Sequence, residues 1–330
     1  MSELQMIWSW QPALYLFLGG MGAGAFIMAA IISFVDRVGS ARTICISMWA
    51  STACLVVGLL LLVSELTNPL RGMLLWQSFS NGSSWMTFGA WAVFAAVIVF
   101  GASALLATEP FGKAVAQRWE GYLAFQKRAR GPLCVAGIAL GICVAVYTGV
   151  LLMCAPGVPL WNTPLLPCLF TVSALDTGVA LVEITALALA KRDRVAHRVH
   201  RLMARIVIAL VAIECVVLAG FLGSALGLSG AAGSAASTAA YSAGLLTTGA
   251  LAPLFWILVV LCGLAVPLIG AIAGLRASRR QAADTKPGNN TIIGAAGALV
   301  GGCTLRFLIL MAGVHADPVA ETVASLLFQR

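Results

Sequence analysis

The chain has 330 residues, 61% of them hydrophobic and only 10% charged. No water-soluble domain buries so large an apolar fraction, so the composition excludes a soluble enzyme and specifies a polytopic, all-α membrane protein. The net charge of +8 resides in the segments between apolar runs, where it marks orientation; it does not read as a nucleic-acid surface.

Eight apolar runs are long enough for a hydrocarbon core of roughly 30 Å. They lie at about 12–34, 44–63, 85–107, 132–154, 165–190, 204–228, 250–275 and 291–314. The runs are continuous, with no period of two, which excludes an outer-membrane barrel. The first is expected to be retained, because Met1–Trp8 offers no basic n-region and no small-residue cleavage site. The eight spans divide into two sets of four, predicting one four-helix bundle over 1–154 and a second over 155–330.

Span 1 carries Gly19-Gly20-Met21-Gly22-Ala23-Gly24. Small residues spaced by four let helix backbones approach closely. Two readings stand: tight packing against a neighbouring span, or a smooth face that makes room for a flat ligand. The loop after it, 35–43, holds Arg37 and Arg42. Span 2 closes on Ser64-Glu65-Leu66-Thr67-Asn68-Pro69-Leu70-Arg71, followed by Trp76, Gln77, Phe79 and Asn81, and span 3 opens with Ser84-Trp85-Met86. Loop 108–131 is basic, with Lys113, Arg118, Lys127, Arg128 and Arg130. Span 4 holds Tyr147 near its far end, and Pro159-Leu160-Trp161-Asn162-Thr163-Pro164 follows.

Spans 5 to 8 carry four charges within the membrane: Asp176, Glu183, Glu214 and Arg306. A charge at mid-bilayer costs roughly 2.5–3.5 kcal/mol on insertion scales, so each needs a partner, a cavity or a ligand. Helical rise places Asp176 and Arg306 roughly 17 and 12 Å from one face, and Glu214 roughly 15 Å from the other. These three are expected to meet, and Glu183 lies one heptad from Asp176 on much the same helix face. A neutralised structural cluster, a proton or water path, and a transporter's substrate site all satisfy this pattern. Loop 191–203 is basic, with Lys191, Arg192, Arg194, Arg198 and Arg201, and so is 276–290, with Arg276, Arg279, Arg280 and Lys286. Segments 155–164 and 229–249 have no Lys or Arg, and 64–84 has only Arg71. By the positive-inside rule the four basic loops face the cytoplasm and both termini face outward. Segment 229–249 is small-residue and low-complexity, a short interfacial helix or a loop.

Cofactor chemistry is constrained by what is missing. The only histidines are His197, His200 and His315, and no two of them are placed to ligate a haem inside the membrane. The nine cysteines lack the clustered spacing of iron–sulfur ligands; Cys154 and Cys168 could approach near the outer face. No metal-ligand cluster and no P-loop is present. The aromatic and polar residues at the outer mouth of spans 1–4 read either as an interfacial aromatic belt or as a flat apolar pocket suited to a quinone ring, with Glu65 exchanging protons.

The chain resembles the NrfD/polysulfide reductase membrane-subunit family. The likeness is carried by Trp10 with Tyr15–Gly24, by Glu65-x-x-Asn68-Pro69-x-Arg71, and by Ser84-Trp85-Met86-x-x-Gly89. It continues in Tyr147-Thr148-Gly149-Val150 with Pro159-Leu160-Trp161-Asn162-x-Pro164, and in Gly301-Gly302-x-x-Leu305-Arg306 with Gly313. The dimethyl sulfoxide reductase anchor subunit is a more distant relative with the same eight-span plan. The resemblance implies a haem-less anchor in the bacterial cytoplasmic membrane that exchanges electrons between menaquinol or menaquinone and an extracytoplasmic partner. That partner is a four-cluster ferredoxin-like iron–sulfur subunit, which in turn contacts a molybdopterin catalytic subunit or a multihaem cytochrome. It places Tyr15, Glu65, Asn68, Arg71, Tyr147, Trp161 and Asn162 at or near the quinone pocket. Several relatives carry His or Asp where this chain has Glu65. Alone, such a subunit catalyses only quinol/quinone exchange; the partner's substrate and the direction of electron flow stay open. The rival class is a secondary transporter built around Asp176, Glu183, Glu214 and Arg306.

Overall fold

A computed structural model of the protein describes residues 10–65, 85–155, 157–190, 193, 195–230, 234–280 and 289–315. Among these the protein is helical throughout, with eight helices long and apolar enough to cross a membrane. In chain order they are α1 (Trp10–Val35), α2 (Ala41–Glu65), α3 (Trp85–Ala107), the short α4 (Glu109–Ala116), α5 (Tyr122–Met153), α6 (Leu165–Ala188), α7 (His197–Leu226) and the short α8 (Ser234–Thr247). The run α9 opens at Ala252–Leu254, passes through a π-helical stretch, Phe255–Ala265, and continues as Val266–Arg280; α10 is Asn289–Met311.

The boundaries depart from hydropathy in two places. Span 4, predicted from 132, starts as a helix at Tyr122, and span 6, predicted from 204, starts at His197. Hydropathy finds only the apolar stretch, whereas the helix continues through Lys127, Arg128 and Arg130, and through Arg198 and Arg201, as a charged extension. The low-complexity segment resolves into the helix α8. The π-helical stretch runs up to Pro267, which has no N–H to donate to the preceding turn. Cys154 and Cys168 are both free thiols.

α1 and α6 are the most enclosed spans. α1 packs against α2, α5 and α6, α3 against α2 and α5, and α6 against α7 and α10; α9 lies against α7 and α10. The α1–α6 contact is backbone to backbone. A Cβ on Gly24 would overlap the Ala174 carbonyl, and one on Gly178 would overlap Gly24. The glycine face of α1 is thus filled by protein. Gly20 lies against Ala174 and Gly22 against Cys54 and Ser51, which closes the flat-ligand reading of these glycines. Between α1 and α3 the rings of Phe26 and Phe100 stack at 3.8 Å and 4°.

On the face bearing the basic loops, two carboxylates stitch distant segments. Asp193 is buried and accepts hydrogen bonds from the Thr43 N–H at 2.7 Å and the Thr43 hydroxyl at 2.9 Å. It satisfies a donor that the first turn of α2 would otherwise leave orphaned. Asp36 accepts from the N–H groups of Gly39 and Ala196, and Arg198 donates to the Val35 carbonyl at 2.6 Å.

Candidate functional site

Two sites come from the spans. The first lies where α1, α2, α3 and α5 approach one another around Tyr15 and Tyr147. Gly58 of α2 faces the Tyr15 carbonyl at 3.5 Å (the distance from an added Cβ), and Gly19 faces Thr148 at 3.9 Å. Gly89 of α3 lies directly under the Tyr147 ring, with no room for even a methyl group between them. Tyr15 and Tyr147 therefore share one level with three glycines from three helices. The stacked Phe26 and Phe100 lie deeper, eleven residues along α1 from Tyr15 and along α3 from Gly89. Glu65, at the last position of α2, is seven residues beyond Gly58, roughly 10 Å farther out along the helix. The Glu65 side chain and all of Asn68 and Arg71 fall outside the described residues.

Trp161 and Asn162 occupy the α5–α6 connection. Trp161 is fully buried, its indole N–H donating to the Ile309 carbonyl at 3.0 Å and its ring lying against Gly313. It fastens the connection to the end of α10. Asn162 beside it is exposed. Gly157, with φ +89°, turns the same connection past His315.

The second site is the buried charge cluster. Arg306 is 0% exposed. Its Nη1 donates to Gly302 O at 2.8 Å and Ser173 Oγ at 3.3 Å, and its Nη2 to Phe170 O at 3.3 Å. The guanidinium also lies over the rings of Phe170 and Phe17, at 5.2 and 5.7 Å, a contact strengthened by desolvation. Glycines make the space: a Cβ at Gly20 would come within 3.0 Å of Nη2, and one at Gly302 within 3.6 Å of Nη1. Ser173 also lies within hydrogen-bonding reach of Glu214, the acid whose charge Arg306 feels. Asp176 neighbours Glu214 and Glu183 in turn. No direct ion pair joins Arg306 to a carboxylate among the described residues; Ser173 stands between. Asp176 Oδ1 and Arg306 Nε are buried without a hydrogen-bond partner.

The spacing argument anticipated that Asp176, Glu214 and Arg306 converge. It missed Ser173 as the link, and Phe17 and Gly20 of α1 as part of the Arg306 enclosure. The signal for the space was present in Gly301-Gly302, one helical turn before Arg306. Among the described residues no group of His, Cys, Asp and Glu is placed to hold a metal ion.

The model of the family described as "Polysulphide reductase, NrfD" matches residues 2–316. The protein belongs to the NrfD polysulphide reductase family. Among NrfD-family proteins it is similar to the C subunit of the polysulfide reductase of Wolinella succinogenes, 32% identical over 323 residues, covering 93% of this sequence and 94% of that protein. Protein NrfD of Escherichia coli strain K12 is 29% identical, covering 93% and 95%. The NrfD homolog of Haemophilus influenzae is 25% identical, covering 93% and 94%. As an NrfD-family member with eight apolar helices, the protein is a multi-pass membrane protein. Of the four charges that motivated the transporter alternative, Arg306, Glu214 and Asp176 are buried and Glu183 is half-buried.

Proposed function

We propose that this protein is the membrane anchor and quinol/quinone-exchanging subunit of a respiratory oxidoreductase. It passes electrons between menaquinol and an extracytoplasmic iron–sulfur subunit, which contacts a molybdopterin enzyme or a multihaem cytochrome. The observation that carries the reading is the Tyr147 ring laid on Gly89 at the level of Tyr15, with Gly19 and Gly58 beside them. Such a site offers flat walls and phenol hydroxyls, which suits a quinone headgroup. Family membership over nearly the whole sequence supports the same assignment.

In this reading two four-helix bundles divide the work. Residues 1–154 hold the quinone, and 155–330 hold Asp176, Glu183, Glu214 and Arg306 as a charge-compensated proton path. Both termini and the quinone mouth lie outside, in the bacterial cytoplasmic membrane. Oxidation of one quinol releases two electrons to the partner and two protons. Glu65, at the outer end of α2, accepts these protons in turn and hands each to water. Asn68, Arg71 and Asn162 bind near the quinone, and Trp161 fixes the segment that carries Asn162.

Glu65→Gln tests the assignment, because it keeps the size but removes the base. Assembly should be intact and quinol-driven turnover should fall by at least ~10²-fold, the low end for loss of a general base. Turnover from an artificial dye that feeds the partner directly should persist. Unchanged quinol turnover in an assembled variant moves the site away from the end of α2.

A further inference from the structure

α2 carries one polar edge. Thr43, Ser47, Ser51, Cys54 and Gly58 fall within an arc of about 80° at ~100° per residue, and Thr43, Ser47 and Ser51 are at most 1% exposed. Two of these hydroxyls have partners outside α2. Thr43 donates to the buried Asp193 carboxylate at 2.9 Å, and Ser51 donates across to the Gly22 carbonyl of α1 at 2.5 Å. Ser47 stands midway between them, and its Oγ has no hydrogen-bond partner among the described residues.

That sets Ser47 apart from its neighbours. Hydroxyls elsewhere in the spans bond the carbonyl one turn back: Thr52 to Met48, Ser103 to Val99, Thr177 to Ser173 and Thr185 to Leu181, all at 2.7–2.8 Å. The Thr43 carbonyl offers Ser47 the same bond, and Ser47 has turned away from it. A buried hydroxyl without a partner is destabilising, so one that forgoes its own backbone points to a partner that is not protein.

Water fits the spacing. Hydroxyls four residues apart on a helix are separated by roughly 6 Å along the axis, too far for a direct bond. One water making two bonds of about 2.8 Å closes that gap. Thr43 and Ser51 commit their single O–H groups to Asp193 and Gly22, so their oxygens remain as acceptors, while Ser47 keeps its donor and its lone pairs. A water on either side of Ser47 therefore has a polar partner at both ends, as a buried water requires. Small residues of α1 flank the edge. Gly22 lies against Ser51, and the Tyr15 carbonyl against Gly58, which fixes one antiparallel register. That register carries the buried Ala25, Ala29 and Ala30 past Ser47 and Thr43.

We propose that the α1–α2 contact binds two buried waters, one on each side of Ser47. They join Thr43, Ser47 and Ser51 into one hydrogen-bonded line from Asp193 on the basic face to the Gly22 carbonyl within the membrane. The line uses no part of the quinone assignment and shares no residue with the Arg306 cluster. A dry contact predicts the opposite response to mutation, because alanine would then remove an unpartnered hydroxyl.

Thermal unfolding of the purified full-length protein in detergent separates the two. Ser47→Ala deletes a group bonded to two waters and should lower the unfolding temperature by about 2–4 °C; a rise, or no change, overturns the waters. Ser51→Ala should lower it as well. The double variant should lose less than the sum of the single losses, since both substitutions remove bonds to the same water. Additive losses mean that no molecule joins the two hydroxyls, and overturn the line. A crystallographic or cryo-EM map that shows ordered solvent reads the site in the unmutated protein, should a variant not fold. Density within about 3 Å of Ser47 Oγ on both sides is expected. Ser47 bonded to the Thr43 carbonyl, with no such density, overturns the site.

Discussion

Replacing Arg306 by Leu tests whether the buried cluster is one electrostatic unit. Three donor contacts disappear, to Gly302 O, Ser173 Oγ and Phe170 O. Two of the acceptors are backbone carbonyls within helices, which keep their helical partners, so the direct loss is modest. The larger effect falls on Glu214, which loses the cation that offsets its charge. Removing one partner of a buried charge pair costs about 3–5 kcal/mol, because the other is left uncompensated. Glu214→Gln should cost a similar amount by stranding Arg306. The double variant has neither charge, and should recover about 1.5–3 kcal/mol relative to the sum, within the usual range of coupling for groups in one network. Asp176→Asn, one neighbour farther along, should couple to Arg306 more weakly than Glu214→Gln does. The assay is the monodisperse fraction surviving a heating series in detergent, compared across the double-mutant cycle. Additive damage from Arg306→Leu and Glu214→Gln would refute the argument that Ser173 joins them.

Gly89→Ala should force the Tyr147 ring from its seat and lower quinol-driven turnover at least ~10-fold with assembly retained, while Gly131→Ala, where nothing lies within 4 Å, should be neutral. Gly24→Ala inserts a methyl against the α6 backbone, and overpacking of this kind costs about 1–3 kcal/mol or more; folded yield should drop, in contrast to Gly223→Ala, which faces open space. Trp161→Phe keeps the ring but loses the bond to the Ile309 carbonyl, worth about 1 kcal/mol, readable as a lower unfolding temperature. Cysteines introduced in loops 113–130 and 191–201 should resist membrane-impermeant labelling from outside; labelling there inverts the proposed topology.

The eight spans were legible because hydropathy over some twenty residues reports what a bilayer requires. The helix starts at Tyr122 and His197 were not, since a helix that leaves the membrane costs nothing extra and its charges resemble those of a loop. Convergence of Arg306, Glu214 and Asp176 followed from depth alone. Which acid answers Arg306 did not, because depth carries no azimuth and a bridging Ser173 looks like any helical serine. The span 1 glycines announced close approach without naming the neighbour; α6 fills that face. The π-helical stretch left only Pro267 as a trace. Trp161 was placed near the quinone by resemblance; its bond to the Ile309 carbonyl, 148 positions away, had no signature in the sequence. Asn68 and Arg71 were read from resemblance and lie beyond the described residues.

The carboxylate stitches on the basic face have a consequence for biogenesis. The first turn of α2 receives its cap from Asp193, 150 positions later in the sequence, and Asp36 receives the Ala196 N–H across 160. Translation runs from the N-terminus, so the opening helical hairpin enters the bilayer with Thr43 still lacking this acceptor. It stays so until the segment after α6 has been made. The N-terminal spans thus cannot reach their final state as an independent early product. Their completion waits for the segment that follows α6, and a polypeptide stopped before residue 193 would be caught at that unfinished stage.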